Sequence, residues 1–359
     1  MDIKINKAEK IKTAIVGAAG YTGFELLKIL NKHKFAQVDF ATSNTNADKL
    51  ISDVFPSFLN FQNNQKFIST ENLPSSFFKT DVIFLCLPAN KSMEFVSNYL
   101  NEFKGKIIDI GSDFRLNDFN NYEKWYKKEH CAKNLLKDFV YGLPEINYEE
   151  IKNAKNIANP GCYPTSVLLA LAPILKNIED INFSFSYGIN IDSKSGVSGA
   201  GKKLNEIYLF CSINENFYAY NVLYHRHIGE IEQEIKKICS KDIKVCFTPH
   251  LLPIDRGIFT TIYCKINMKK NYNKTIEIIN NIFLNFYKNS YFVKFLGQKV
   301  PQIKDILYTN FCHIGFAFDE RTNILKIFSV IDNLIKGAAG QAVQNMNILF
   351  GLPQWEGLG

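Results

Sequence analysis

Thr13-Ala14-Ile15-Val16-Gly17-Ala18-Ala19-Gly20-Tyr21-Thr22-Gly23-Phe24-Glu25-Leu26-Leu27-Lys28-Ile29-Leu30 reads as a short apolar strand, a glycine turn and a helix in direct succession. Glycines in such a turn let backbone N–H groups approach a pyrophosphate, whose charge then faces the helix N-terminus. The spacing is Gly-x-x-Gly-x-x-Gly, so a glycine-rich turn without a ligand is the competing reading. Strand, turn and helix predict the first unit of a doubly wound sheet.

The next segments extend that pattern. Val38 to Thr42 predicts a second strand, ending in Ser43-Asn44-Thr45 with no acidic residue at its tip. Sites for NAD place Asp or Glu there to hold ribose hydroxyls, whereas hydroxyl and amide groups accommodate a 2′-phosphate, so NADP(H) is the favoured cofactor. Asp81 to Leu87 is a nearly all-apolar strand of the kind buried in a parallel sheet, followed by Pro88 and a helix reaching about Phe103. Lys106 to Asp109 is a further strand, leading into Gly111-Ser112-Asp113-Phe114-Arg115.

From Asn156 the pattern changes. A helix over Thr165 to Leu175 precedes strands at Asn182 to Ile191, Val245 to Pro249, Gly257 to Ile266, Cys312 to Phe318 and Ile324 to Ile331. Helices are predicted at His227 to Cys239 and Thr275 to Tyr287. An antiparallel sheet with helices on one side is the economical arrangement. A last helical pattern, Gly337 to Phe350, is placed to return to the first domain. The predicted domains are therefore 1–157, completed by 332–359, and 158–331.

The 359 residues suffice for two domains; 46% are hydrophobic and 21% charged, which argues against disorder. A net charge of +7 is spread over dispersed lysines, which points away from nucleic acid and suits an anionic small molecule. No segment reads as a signal peptide or a membrane span. The eight cysteines form no Cys-x-x-Cys pair, so no metal site is expected, and a cytoplasmic location follows. Arginine occurs only at 115, 226, 256 and 321 among 42 basic residues. Against that lysine background, Arg115 and Arg256 are candidates for bidentate clamping of a carboxylate, Arg256 being equally suited to pair with Asp255 or a buried acid.

Three stretches are candidates for chemistry, each with a plainer reading beside it: a buried core cysteine, structural histidines at a helix entry and a flexible surface loop. In Asn159-Pro160-Gly161-Cys162-Tyr163-Pro164-Thr165, a cysteine stands behind a Pro-Gly turn at a helix start, where the dipole favours a thiolate. His225-Arg226-His227 opens a helix, so either imidazole could serve as imidazolium partner of that thiolate and as proton donor. The loop from Asp192 to Lys202 is rich in glycine, serine and lysine, a composition suited to cradling an anion.

Gly17 to Leu26, Gly111 to Arg115, Tyr141-Gly142-Leu143-Pro144-Glu145, Asn159 to Thr165, Ser195 to Gly201, His225 to His227 and Lys336 to Gln344 together resemble the N-acetyl-γ-glutamyl-phosphate reductases, in order, from about residue 11 to residue 350. The resemblance implies a Rossmann domain joined to an α+β catalytic domain with a mixed or antiparallel sheet, as in glyceraldehyde-3-phosphate dehydrogenase. It implies NADPH-dependent reduction of an acyl phosphate to a semialdehyde in arginine biosynthesis, with Cys162 as nucleophile and His225 as acid and base, in a homo-oligomer, dimer or tetramer. The candidate substrate contacts are Arg115, Lys194, Ser195, Lys202, Tyr220, His227 and Arg256. Those for the cofactor are Gly17, Gly20, Tyr21, Thr22, Gly23, Ser43, Asn44, Pro88, Ser198, Gly199, Asn333 and Gln344. Asn44 stands where relatives often carry arginine. Related reductases of carrier-linked aminoadipyl or glutamyl phosphate, aspartate-semialdehyde dehydrogenase, and a non-catalytic redox sensor built on Cys162 are the alternatives.

Overall fold

The computed structural model describes residues 10–58, 65–184, 188–268 and 270–359. The chain forms two compact units, one of Met1–Pro160 with Ala338–Gly359, the other of Gly161–Gly337.

The first unit alternates β1 (Ile11–Val16), α1 (Tyr21–Lys32), β2 (Ala36–Thr42), α2 (Ile51–Val54), β3 (Phe67–Ile68), β4 (Val82–Leu85), α3 (Ser92–Tyr99), β5 (Lys106–Asp109), α4 (Phe119–Tyr126), β6 (Phe139–Tyr141), α5 (Pro144–Lys152) and β7 (Asn156–Ala158). The strands make one parallel sheet in the order β3-β2-β1-β4-β5-β7-β6. All four residues of β4 are buried, which is why its sequence is continuously apolar rather than alternating. Phe77, Phe114 and Phe139 pack in its core, the last two stacked at 3.9 Å between centroids. Each such ring contributes on the order of 2–3 kcal/mol by burial.

The second unit holds α6 (Cys162–Lys176), β8 (Ile189–Ser195), α7 (Phe210–Ile213), β9 (Tyr218–Ala219), α8 (His227–Cys239), β10 (Val245–Leu251), β11 (Ile258–Lys265), α9 (Tyr272–Tyr287), β12 (Val293–Phe295), β13 (Cys312–Asp319) and β14 (Ile324–Ile331). Its sheet runs β12-β13-β14-β11-β8-β10-β9. Of the two expected forms, mixed or antiparallel, the sheet takes the mixed one: β8 pairs with β10, and β12 with β13, in parallel, while its other pairs are antiparallel. α8 supplies the crossover that a parallel β8–β10 pair requires. The strand expected over Asn182 to Ile191 starts late: Phe183 makes an isolated bridge to Ile266, residues 185–187 lie outside the described residues, and β8 begins at Ile189.

After β14 the chain makes a π-helical turn at Ile335–Ala339 and continues as α10 (Gly340–Leu349), every residue of which is buried. α10 packs against α1, α5 and β5 of the first unit.

Candidate active site

In the first unit, the glycine turn has the geometry its sequence requires. Gly17 has φ +85°, and a Cβ there would stand 2.7 Å from the Cys86 carbonyl oxygen. At Gly23 a Cβ would meet the Ala18 carbonyl oxygen at 2.4 Å, so α1 can press against the turn only without one. Gly20 differs: it is the N-cap of α1 and nothing lies within 4 Å of its Cβ position. That open space at a helix N-terminus fits a dinucleotide pyrophosphate. Tyr21 and Thr22 form the first turn of α1 beside it.

Ser43 and Asn44 follow β2. Ser43 is buried and its Oγ lies 3.3 Å from Thr45 Oγ1. Asn44 Oδ1 accepts from the Thr70 N–H and hydroxyl, both at 2.8 Å, so its carbonyl end is committed to the loop after β3. Pro88 is exposed after β4. Gln344 is fully buried on α10 and donates to Glu145 Oε1 at 3.2 Å and Gln354 Oε1 at 3.0 Å. This expected cofactor contact therefore lies inside the unit, with its amide bonded to two neighbouring side chains.

Arg115 is also buried. Its Nε donates to the Asn159 carbonyl at 2.8 Å and its Nη2 to the Ile110 carbonyl at 2.9 Å. The guanidinium thus ties together the turns after β5 and β7. Nearby, the Asp109 carboxyl accepts from Ser92 Oγ and the Gly111 N–H, and burial, reinforced by Asp113, pushes it up to about 7.

In the second unit, Gly161 is the N-cap of α6 and Cys162 its first residue. Pro164 falls at the third position, where its missing N–H costs no helical bond. One turn below Cys162, Ser166 Oγ lies 3.0 Å from both Thr260 Oγ1 and Ser329 Oγ, and Thr260 Oγ1 lies 2.9 Å from Ser193 Oγ. This buried hydroxyl chain fixes α6 on β8, β11 and β14. Glu230 of α8 holds the other side, its Oε1 accepting the Gly161 N–H at 2.8 Å.

Aromatic rings surround the next residue. The Tyr163 hydroxyl lies 3.0 Å from that of Tyr220, and the Tyr163 ring stands 5.5 Å from His225, 5.9 Å from His227 and 5.3 Å from Phe247. Burial raises both phenols well above their ordinary value, and charge on Cys162 adds to each push. His225 Nδ1 accepts the His227 N–H at 3.2 Å, which leaves the proton of a neutral ring on Nε2. Burial first, and then Arg226, lowers His225 to about 3. Burial thus works against an imidazolium here and favours a neutral ring that donates through Nε2–H.

The loop after β8 gathers Ser195, Ser198, Gly199 and Asn333. Asn333 Nδ2 donates to Ser198 Oγ at 3.0 Å, and a Cβ on Gly199 would lie 3.3 Å from Ser195 Oγ. Lys202 is exposed. Lys194 is separated from this group, because strand alternation turns it to the face opposite Ser195, where it pairs with Asp192 at 2.8 Å. Arg256 pairs with the fully buried Asp332 at 3.3 Å. Among the described residues, no cluster could hold a metal ion.

Glu230 was not singled out from sequence. With His227, Ile231, Glu234 and Ile235 it lies on the buried face of α8. A carboxylate on the apolar stripe of an amphipathic helix is a signal in itself, since burying a charge without a partner is costly.

The family described as semialdehyde dehydrogenase, NAD binding domain, matches residues 12–154, and the one described as semialdehyde dehydrogenase, dimerisation domain, matches residues 162–333. The chain is 46% identical over 349 residues to the N-acetyl-gamma-glutamyl-phosphate reductase of Pelotomaculum thermopropionicum, covering 97% of each. It is 45% identical to the protein of that name from Thermoanaerobacter pseudethanolicus, covering 96% of each. Among solved structures, aspartate semialdehyde dehydrogenase II from Vibrio cholerae superposes with a TM-score of 0.70 at 19% identity, over 96% of this chain and 99% of that one. The Candida albicans aspartate semialdehyde dehydrogenase with NADP gives 0.68 at 16% identity, over 95% and 99%. At these identities the two structures speak for the fold alone.

Proposed function

Because this chain belongs to the N-acetyl-gamma-glutamyl-phosphate reductase family, within the semialdehyde dehydrogenases, we propose that it reduces N-acetyl-γ-glutamyl phosphate to N-acetyl-L-glutamate 5-semialdehyde and phosphate. The carrying observation is Cys162 as first residue of α6, with the ring of the next residue, Tyr163, 5.5 Å from that of His225.

Cys162 begins a helix of 15 residues, whose dipole favours a thiolate over a thiol. Its Sγ attacks the acyl carbon; an S–C bond forms, the C–O bond to phosphorus breaks and phosphate leaves with the electron pair. A thioester results, and it is a better hydride acceptor than a free carboxylate. The nicotinamide cofactor, when bound, supplies the hydride. Negative charge then develops on the former carbonyl oxygen, and a neutral His225 Nε2–H is suited to donate to it. As the C–S bond breaks, the thiolate returns to the helix N-terminus and the aldehyde is released. The loop of Ser195, Ser198 and Gly199 with Asn333 supports binding of an anionic group.

A nicotinamide dinucleotide fits the Gly17–Gly20–Gly23 turn. NADP(H) is the form favoured here, because Ser43, Asn44 and Thr45 bring no carboxylate to the end of β2. A homo-oligomer assembled through the second unit accords with its family description, and the half-buried Phe259 and Phe328, 6.2 Å apart, lie on the sheet face turned away from α6. No helix of the described residues is long and apolar enough to cross a membrane, and the eight cysteines, none of them in a disulfide, suit a reducing cytoplasm, where arginine biosynthesis would place this reaction.

The test is phosphate-dependent NADP+ reduction with the semialdehyde. Cys162→Ser should abolish turnover while leaving NADPH binding intact. Near-normal turnover by that variant would refute the thioester route.

A further inference from the structure

The buried Arg256–Asp332 pair serves no step of the chemistry above. We propose that Arg256 is a positioning residue for Cys162, acting through Asp332 and Gly337, and not a clamp for substrate; the proposal rests on Cys162 being the nucleophile.

Asp332 is fully buried, and its carboxylate organises the turn that follows it. Oδ1 accepts the N–H groups of Leu334 and Ile335 at 2.9 and 3.1 Å. Oδ2 accepts Arg256 Nη1 at 3.3 Å and the Tyr308 N–H at 2.8 Å. Its backbone carbonyl accepts the Gly337 N–H at 2.9 Å, a bond spanning five residues that defines the π turn Ile335–Ala339. Such one-turn widenings of a helix recur at functional sites because they re-aim what they carry. Here the turn carries Gly337 against the nucleophile: a Cβ on Gly337 would stand 2.8 Å from Cys162 Cβ and 3.3 Å from its Cα.

The other end of the strut is equally fixed. The Arg256 guanidinium lies over the Tyr308 ring, 4.5 Å from its centroid, and the next residue, Gly257, donates its N–H to Asn333 Oδ1 at 2.7 Å. A substrate carboxylate would have to compete with Asp332 for the guanidinium, and winning would strip a buried carboxylate of its charge partner, which is strongly unfavourable. The pair therefore reads as a strut that holds the Gly337 backbone against Cys162, setting where the thiolate can point.

The two roles separate in kinetics. Iodoacetamide labelling of Cys162, mapped by mass spectrometry across pH 6–9, is measured together with kcat and KM for the wild type, Arg256→Lys, Gly337→Ala and, as control, the exposed Arg321→Lys. The strut predicts that Arg256→Lys and Gly337→Ala each slow labelling of Cys162 roughly tenfold or more, lower kcat in proportion, and leave KM within about twofold. Arg321→Lys should match the wild type. Gly337→Ala keeps the ion pair, so it decides the matter should Arg256→Lys fail to fold. Wild-type labelling in both variants, or a raised KM with unchanged labelling in Arg256→Lys, would overturn the strut alone. Wild-type Cys162 reacting no faster than the other seven cysteines would overturn the nucleophile reading, and the strut with it.

Discussion

The Tyr287 hydroxyl of α9 donates to the Leu169 carbonyl of α6. Leu169 would ordinarily be bonded by the N–H four residues on, but that residue is Pro173, which has none. A side chain from the neighbouring helix thus completes the helix that begins with Cys162. Tyr287→Phe should cost about 1–3 kcal/mol in urea unfolding, because it leaves a buried carbonyl unpaired. In a Pro173→Ala background, where the backbone can supply the donor, the same change should cost much less. Equal costs in the two backgrounds would show that the hydroxyl is not substituting for the missing N–H.

Glu230 holds the Gly161 N–H from α8. Glu230→Ala leaves that amide without its charged acceptor and should lower stability by roughly 2 kcal/mol, with a larger loss in kcat than in KM. Glu230→Gln keeps an acceptor and should recover most of the stability. If the alanine variant raised KM alone, Glu230 would be contacting substrate and not setting the turn before Cys162.

Acid titration reports on His225. In the unfolded chain its value is near 6.5, whereas burial holds it at about 3 in the fold. Between those values the unfolded chain binds a proton that the folded chain refuses. This position therefore costs nothing above pH ~6.5 and erodes stability as pH falls towards 3. The wild type should lose stability faster than His225→Gln below pH ~6, by up to roughly 1.4 kcal/mol per pH unit. Parallel stability curves for the two proteins between pH 7 and 5 would show that the imidazole titrates normally.

The proposed preference for NADP(H) rests on the end of β2. Asn44→Asp places a carboxylate where the proposed 2′-phosphate is accommodated, while Thr70 can still donate to it. The KM ratio of NADPH to NADH should rise by about tenfold or more. An unchanged ratio would put the discriminating contact elsewhere.

The elements that carry much of the candidate site were legible because their signals are local. The Gly17–Gly23 turn, the α6 start at Cys162 and the boundaries of α8 each depend on residues close in sequence. Strands β6 and β7 escaped notice since three residues carry no period. The supports of Cys162 were hidden for a different reason. Glu230 reaches Gly161 across 69 positions, and Gly337 lies far along the chain from Cys162, so no window of sequence contains both partners. Lys194 parts from Ser195 because β8 runs on to Ser195, into what its composition presents as a loop, and the two-residue period sends the two side chains to opposite faces.

The return of the chain through α10 bears on synthesis. Helix α10 is wholly buried, and it belongs with residues that leave the ribosome nearly two hundred positions earlier. Domains ordinarily fold in order of emergence. Here the second unit, continuous from Gly161 to Gly337, can close first, whereas the first must wait with part of its apolar surface open until Ala338–Gly359 arrives. In vectorial production the nucleotide half is thus the exposed one, and a stalled or truncated nascent chain should engage chaperones through it.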